Sequence, residues 1–522
     1  MRHSMNGIKE SIASVRQSIV FIAISLFFIL SVALLFAQEQ DGSDKTKTIP
    51  KLTLADCIFL AMKNNFDVKK QYLGRISQRY SLKVSEDKFN PKGSFQLSTN
   101  KSSTYPDIDT GRSTSATQAG SFTASMNVIT GGQFDFSWNK TANQADVNRR
   151  YYYNPLWSLQ YTQPLLKNAG IEAATASVKI ARIADEQNLL SFRDFLSSTI
   201  NSVITSYRSY VSSLWNLEIN KKSLETAKSN YEINKAKIAA GRMAALDIVE
   251  TETNIASYEL SVLSSQNNVD QARLTLIKLL NIDKDALFEP IKDKELHLAS
   301  QLSPPSLKEA LQLAFYNRPD YLTAIRNVET ARLNYVLAKN NRLWDLSFQT
   351  KVNSTANNTN PWRSSETAMS VGKSDWSAGA VLTIPFRDLT IEQNYLSAKI
   401  TLEQARIDLK KSEISIEIDL KNALRDVDMK LKQMHKAKQV RELAEKKYEV
   451  ERDKYKAGRS TNFQLVSYQN DLVNAQESEV SSLIDYLNSL TNLDTALGTT
   501  LKTFNIVISK DTDEVKLVEK EK

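Results

Sequence analysis

Few side chains in this 522-residue sequence combine the type and the spacing that catalysis or metal binding requires. Cys57 is the only cysteine, which excludes a disulfide within the chain and a cysteine-based metal site. The carboxylates of Asp345 and Asp375 stand alone, and we expect them to face water. No nucleophile–base pair, phosphate-binding loop or cluster of metal ligands is recognisable, and the histidines are widely separated: His3, His297 and His435. We therefore expect neither an enzyme nor a bound cofactor or metal.

The side chains with the greatest capacity for electrostatic interaction surround two glycines, in a segment that occurs twice. The two copies are Tyr231–Arg242 and Tyr448–Arg459, and in both the chain reads Ala-Gly-Arg at its end. Gly241 therefore matches Gly458 in register. A period of roughly two hundred residues is too long for a solenoid, so we interpret the repeat as a duplicated half-protein.

Charged residues follow each of these glycines. Arg242 and Arg459 come directly after them, and Asp247 and Glu250 lie a few residues further on in the first copy. These side chains could tie the two segments together through ion pairs. The alternative is that they are ordinary solvated residues, because charge is common at helix ends.

Long stretches without glycine or proline must position these segments. None occurs between Gly170 and Gly241 or between Pro385 and Gly458, and a helix of about 70 residues would span roughly 105 Å. A second uninterrupted stretch follows each glycine. Because glycine adopts the left-handed conformation that ends helices, the pattern predicts two long helical hairpins with their tips at residues 241 and 458.

The apolar seam of the second long helix argues against a free coiled-coil rod, which is the simpler alternative. Its positions repeat with 4-3-4-3-4 spacing, but many are alanine or polar. Such a seam favours helices packed side by side around a wide, wet interior. The seam residues are Ile391, Tyr395, Ala398, Leu402, Ala405 and Leu409.

A shorter pair of helices is predicted at the start of each copy, over 53–89 and 306–342. Thr53 is expected to cap the first, and Ser306 with Glu309 forms a capping box for the second. Apolar positions in both segments fall on one helical face.

Between these helices and the hairpins the pattern alternates, within 93–163 and within 344–385. It predicts four strands in the first copy and two in the second, with Gly131-Gly132 as a tight turn. Strands of about 9–11 residues with one apolar face are typical of a membrane β-barrel, although a half-buried soluble sheet alternates in the same way. Polar composition predicts exposed loops at 101–118, 142–154 and 354–374.

Proline marks the predicted change from strand to long helix in each copy, at Pro164 and Pro385. These patterns together divide the chain into four parts: a first repeat at 52–282, a surface linker at 283–305, a second repeat at 306–499 and a charged tail at 500–522. The long hairpins occupy 168–281 and 387–497 within the repeats. The end of the tail is predicted to be disordered.

The N-terminus reads as an export signal. Basic residues precede an apolar run from Ile19 to Phe36, and we predict cleavage after residue 37, with 38–51 flexible. The run also approaches the length of a membrane span, so a retained anchor is the alternative. The net charge of +8, from 67 basic and 59 acidic residues, is spread along the chain without a dense basic block. We therefore expect no nucleic-acid partner.

Several motifs fit one family pattern. They are Leu-Thr-Leu-Ala-Asp at 52–56, Ser-Leu-Lys-Glu-Ala-Leu at 306–311 with Asn-Arg-Pro-Asp at 317–320, Thr-Gln-Pro-Leu-Leu-Lys-Asn at 162–168, Tyr-Lys-Ala-Gly-Arg at 455–459, and Leu-Gly at 497–498. In this combination, over nearly the whole chain after the export signal, the sequence resembles the TolC-like outer membrane factors. These proteins are the exit ducts of tripartite efflux pumps and type I secretion systems.

The resemblance implies a mainly α-helical, duplicated protomer whose strands contribute to an outer-membrane β-barrel and whose long hairpins form a periplasmic α-barrel. It implies a homotrimer in the outer membrane of a diderm bacterium, in contact with lipid, a periplasmic adaptor and an inner-membrane transporter. The adaptor would meet the tips at Gly241, Arg242, Gly458 and Arg459. Export would be passive, with the cargo selected by the inner-membrane partner.

The resemblance also implies an aperture at residues just after the tip glycines. Asp247 matches an acidic aperture position in the first repeat, and Glu250 follows it. In the second repeat the corresponding positions carry Gln464 and Ser467. The additional hairpin around Gly131 could give eighteen strands per trimer in place of the usual twelve. The alternative function is an inner-membrane-anchored periplasmic coiled-coil adaptor or tether.

Overall fold

The computed structural model of the protein describes residues 51–104, 113–144, 150–244, 246, 248–291, 304–370, 374–508 and 515–517. The predicted signal segment, residues 38–50 and Asp247 therefore lie outside the described residues. By their contacts, residues 52–286 and 290–522 form one unit, and the packing described below concerns that unit.

Long helices alternate with groups of strands along the chain. In chain order the helices and strands are β1 Lys51–Leu52, α1 Leu54–Asn64, α2 Phe66–Glu86, β2 Lys92–Thr104, β3 Ser113–Asn127, β4 Gln133–Gln144, β5 Tyr151–Pro164, α3 Ile171–Ala239, α4 Ile248–Leu280, β6 Glu289–Pro290, α5 Leu307–Asn317, α6 Pro319–Asn341, β7 Asp345–Thr355, α7 Pro361–Met369, β8 Asp375–Thr383, α8 Leu389–Lys456, α9 Asn462–Leu497, α10 Thr500–Thr503, β9 Ile506–Ile508 and β10 Val515–Leu517.

The two long hairpins are α3–α4 and α8–α9. Helix α3 has 69 residues and α8 has 68, so each is about 100 Å long. The predicted 4-3-4-3-4 seam of α8 is at least half-buried at every position, with Leu402 the most buried. Helix α9 packs against α3 and thereby joins the hairpins. The short helix α5 packs on α8 and α9, in a core that includes Ile416, Leu420 and Tyr486.

The short helices begin as the sequence predicts. The Thr53 side chain accepts a hydrogen bond from the backbone of Asp56, and the Asp56 carboxylate accepts one in return. The second capping box pairs Ser306 with Glu309. The Ser306 backbone N–H bonds the Glu309 carboxylate and lowers the pKa of that side chain. Each box supplies partners for backbone donors that the first helical turn leaves unpaired.

Six of the described strands form an antiparallel sheet in the order β2-β3-β4-β5-β7-β8, and the others form two short pairs, β1 with β6 and β9 with β10. The six-stranded sheet takes four strands from the first repeat and two from the second, which is the predicted count. Register places Phe122 beside Trp138 and Trp138 beside Trp157, on one face of the sheet. The opposite face carries polar side chains, such as Ser137 beside Ser158. The sheet therefore has an apolar face and a polar face.

Three predicted loops proved to be partly structured. Strands β2 to β5 have 12–15 residues in place of the expected 9–11, so they extend into 101–118 and 142–154. The residues at the strand ends farthest from the hairpins are mostly polar on both faces of the sheet. The sequence there does not alternate between apolar and polar residues, so the pattern does not reveal the strands. The segment 354–374 contains helix α7, which Asn360 caps and Pro361 begins.

The described part of the tail contains a short strand pair that the sequence analysis did not predict. Strand β10 pairs with β9 in antiparallel register, with Val515 beside Ile508 and Leu517 beside Ile506. Residues 509–514 and 518–522 lie outside the described part of the tail.

The sheet is joined to the hairpins by tight turns. Pro164 is the last residue of β5 and pairs with Ser347, after which the Leu165 N–H donates to the Leu346 carbonyl at 2.7 Å. The Gly170 N–H then donates to the Thr130 carbonyl at 3.0 Å, just before α3 begins. Pro385 occupies the matching position in the second repeat, between β8 and α8.

No helix in the described residues has both the length and the apolarity needed to cross a membrane.

The single cysteine provides a test of the core. Cys57 is fully buried on α1, and burial raises the pKa of its thiol to about 12. Because the thiolate is the reactive form, we expect no labelling of the native protein by a maleimide at pH 7.5 and complete labelling after denaturation. A Ser115→Cys variant, whose added thiol would lie on an exposed strand residue, should label in both states. Rapid reaction of native Cys57 would contradict this packing.

Candidate functional site at the two hairpin tips

Both hairpin turns are built around glycines with positive φ, +66° at Gly241 and +74° at Gly458. In the first turn the Arg242 N–H donates to the Lys237 carbonyl at 2.9 Å, and in the second the Arg459 N–H donates to the Lys454 carbonyl at 2.9 Å. These bonds define a Schellman motif at each helix end. No neighbouring atom lies within 4 Å of a Cβ added to either glycine, so backbone conformation and not space requires glycine there.

This requirement gives a second prediction. Gly458→Ala should cost about 1–2 kcal/mol, because an L-residue is strained at this φ. Amide hydrogens of the tip should then exchange roughly five- to thirtyfold faster in hydrogen–deuterium exchange. Gly74→Ala is the matched control, because Gly74 lies inside α2 with open space around it and no positive φ. Unchanged exchange at the tip of the Gly458→Ala protein would contradict the left-handed turn.

A buried polar network joins the two hairpins next to these turns. Asn234 on α3 is fully buried, and its amide nitrogen donates to Thr251 Oγ1 on α4 at 2.9 Å and to Asn462 Oδ1 on α9 at 2.8 Å. The Tyr455 hydroxyl on α8 donates to Asn234 Oδ1. One side chain therefore holds all four long helices, and each of its polar atoms is satisfied.

The network continues to an acidic side chain. The amide nitrogen of Asn462 also donates to Glu250 Oε2 on α4, at 2.9 Å. Asn462 is buried and Glu250 is half-buried. This bond is charge-assisted, which makes it stronger than a bond between neutral groups.

Lys237 adds a second link between the hairpins. Its ammonium donates to the Tyr455 carbonyl at 2.9 Å and lies 3.3 Å from the centre of the Tyr455 ring. Partial burial lowers the pKa of Lys237. The ring face and the carbonyl both present negative potential to the cation, and they replace part of its hydration.

The two repeats carry buried polar residues at equivalent positions, but these residues have different hydrogen-bond partners. Glu451 in the second repeat matches Asn234 in register, and both are buried. Glu451 accepts a hydrogen bond from the Ser460 hydroxyl and lies 3.5 Å from Lys454 Nζ. Asn234 therefore bonds the opposite hairpin, whereas Glu451 bonds the turn that follows it.

The predicted site residues are distributed unevenly around this network. Glu250 belongs to it, whereas Arg242 and Arg459 are exposed and Asp247 lies outside the described residues. Gln464 and Ser467 are half-buried on α9, where the Gln464 N–H donates to Thr461 Oγ1 at 3.3 Å as part of the helix cap. The sequence analysis did not identify three central residues of the network, which are Asn234, Thr251 and Asn462. Tyr455 does lie inside the recognised tip motif.

The arrangement can hold the two hairpins together through direct side-chain hydrogen bonds. In the described part of the chain, no group of three or more His, Cys, Asp or Glu side chains could hold a metal ion. The side chains at the tips are amides, hydroxyls and charges that already bond one another. A buried network in which every member is bonded rigidifies the elements that it joins.

Comparison with known proteins finds one family model and one relative in sequence. The model of the outer membrane efflux protein family matches residues 310–499. The chain is similar to the Nodulation protein T of Rhizobium leguminosarum bv. trifolii, with 22% identity over 338 residues that make up 63% of this chain and 66% of that protein. The match thus spans just under two thirds of the relative's length.

Solved structures share the fold at low identity. The outer membrane channel CmeC of Campylobacter jejuni aligns with a TM-score of 0.61 and 17% identity, over 85% of each chain. The outer membrane protein VceC of Vibrio cholerae aligns with a TM-score of 0.63 and 13% identity, over 85% of this chain and 96% of that one. The family model therefore matches the predicted second repeat, and the solved structures show that most of the chain shares the fold of outer membrane channels.

Proposed function

We propose that this protein is an outer-membrane exit duct assembled from three copies of the chain. The observation that carries the proposal is the apolar face of the sheet, where Phe95, Leu97 and Phe348 are exposed. Hydrocarbon is the environment that such a face fits, while the polar face would line an aqueous lumen. The long hairpins leave the same end of the sheet and would extend the lumen through the periplasm.

The open edges of the sheet support the trimer. Among the described strands, β2 and β8 each have a single neighbour, so both leave a row of backbone donors and acceptors unpaired. A membrane interior tolerates no such edge, and pairing β2 of one copy with β8 of the next would remove it. Three copies of six strands give an eighteen-stranded barrel.

The tip network supports a gate. Bonds that tie α3–α4 to α8–α9 would hold the aperture closed, with Glu250 in the network and Asp247, Gln464 and Ser467 near the opening. A periplasmic adaptor that binds splayed tips at Gly241, Arg242, Gly458 and Arg459 would shift the population toward the open state. An inner-membrane transporter would supply the cargo, in either a tripartite efflux pump or a type I secretion system.

Membrane fractionation together with the mass of the purified protein tests this proposal. We expect the protein in the outer-membrane fraction of a density gradient and a mass of three chains in detergent. A protein that sediments with the inner membrane, retains its apolar N-terminal segment and purifies as a monomer would overturn the duct. That result would support the anchored adaptor or tether.

A further inference from the structure

Helix α7 lies against the apolar face of the sheet and not over its polar face. Its buried side consists of Ser364 and Ala368, and its partners are Lys140 and Trp157. Register places both partners on the face that carries Phe136 and Trp138, because residues 136, 138 and 140 alternate with the polar ones and Trp138 pairs with Trp157. A short helix therefore covers part of the surface that, under the proposed function, contacts lipid.

The sheet holds α7 at both of its ends. Near the first turn, Lys140 Nζ donates to the Pro361 carbonyl at 2.9 Å and to Ser365 Oγ at 3.0 Å. In the last turn, Trp157 Nε1 donates to the Ala368 carbonyl at 2.7 Å. The helix thus satisfies an ammonium and an indole N–H that would otherwise point from the apolar face into lipid without a partner.

The outward side of α7 is amphipathic in the way that a membrane interface favours. Trp362 is 83% exposed and Met369 is 65% exposed, and the polar side chains of Arg363 and Glu366 lie on the same side of the helix. Tryptophan concentrates at the level of the lipid headgroups, since its ring is apolar and its N–H is polar. Nothing within the described chain covers Trp362.

The position of α7 along the strands also fits the interface. Its first turn contacts Lys140, one same-face register position from the level at which the apolar face gives way to Thr99 and Gln118, and its last turn contacts Trp157 in the middle of β5. A groove of about 520 Å³ on the same face includes Phe95, Leu97 and Trp138 in its walls, together with Lys140. An acyl chain fits such an apolar groove better than a polar partner would.

We propose that α7 is an interfacial helix that docks on outer-leaflet lipid, with Trp362 at the headgroup level and Lys140 and Trp157 fixing it to the barrel. The inference rests on the proposed function, since it takes the apolar face as the lipid-facing one. Lipid is the occupant that the structure favours, because α7 lies on the apolar face and its own exposed side carries Trp362 and Met369 beside charged residues.

Spin labels at three positions test this inference on the full-length protein in phosphatidylcholine–phosphatidylglycerol vesicles. The variants are Trp362→Cys on α7, Leu97→Cys on the apolar face and Ser115→Cys on the polar face. All three positions are exposed, so folding should be retained, and buried Cys57 should remain unlabelled. Electron paramagnetic resonance then measures the accessibility of each label to oxygen, which enters lipid, and to a water-soluble nickel chelate.

We expect the label at 97 to have the highest oxygen-to-nickel accessibility ratio, the label at 115 the lowest, and the label at 362 a value several times that at 115. A ratio at 362 equal to that at 115, with a lipid-like value at 97, would overturn the interfacial helix and leave the duct intact. A water-like value at 97 would overturn the lipid-facing assignment itself, and this inference with it. A label at 362 shielded from both reagents would assign the surface to a protein partner and also overturn the proposal.

Discussion

Replacing Asn234 with leucine is expected to open the tips of the proposed duct. Leucine is similar in size but cannot donate to Thr251 or Asn462, nor accept from Tyr455. Partners left unpaired in a buried site cost about 1–3 kcal/mol each, so the closed state should lose roughly 3 kcal/mol per protomer. That is about a hundredfold shift in the closed-to-open equilibrium. In single-channel recordings, the variant should spend far more time in high-conductance states than the wild type.

Two further variants make this prediction specific. Tyr455→Phe removes a single bond of the network and should produce a smaller increase, of about tenfold, in the open-to-closed ratio. Asn188→Leu changes another asparagine of α3, whose amide donates to the Ala184 carbonyl of its own helix, and should leave gating unchanged. Wild-type gating in a folded, trimeric Asn234→Leu protein would show that the network does not hold the tips closed.

Gly131→Ala is expected to have the largest effect on assembly. Gly131 has a φ of +94°, and an added Cβ would lie 2.3 Å from the Asn168 carbonyl oxygen in the turn that leads into α3. The Asn168 carbonyl belongs to the backbone, so it cannot move aside as readily as the end of a flexible side chain could. The strained φ costs about 1–2 kcal/mol and the overlap about 1–3 kcal/mol more, so we expect a loss of about 3 kcal/mol or more per protomer. Heat-resistant oligomer on electrophoresis should decrease sharply in the outer-membrane fraction.

Gly379→Ala is the control for that substitution. Gly379 also lies in the sheet region, on β8, but its φ is not positive and an added Cβ would meet no atom within 4 Å. We expect its oligomer to match the wild type in yield and in heat resistance. If Gly131→Ala behaves like Gly379→Ala, the close contact between the β3–β4 turn and the β5–α3 turn does not exist in the assembled protein.

The sequence predicts the large elements because each has a local physical cause. Long intervals without glycine or proline favour an uninterrupted helix. Gly241 and Gly458 end these helices at positions where the backbone has a left-handed conformation, which favours glycine. Alternation marks the strands wherever one face is apolar. The same reasoning fails at the distal strand ends, where polar residues occupy both faces and only pairing with the neighbouring strand maintains the structure.

Features that depend on contacts distant in sequence could not be predicted in this way. The Asn234 network joins residues more than two hundred positions apart, and nothing in the spacing shows which amides meet. Helix α7 did carry a local signal, the Asn360 cap followed by Pro361. Its nine residues are too few to form a stable helix alone, so the contacts with Lys140 and Trp157 decide its structure.

Single-channel conductance of the purified, detergent-solubilised protein in a planar bilayer tests the central claim most directly. A trimeric duct predicts discrete, stable conductance steps from particles with the mass of three chains, and a higher open fraction when Asn234 is leucine. Absence of any conductance from correctly folded trimers, in the wild type and in the Asn234→Leu variant alike, would contradict the assignment of the sheet to a membrane-spanning barrel with a lumen.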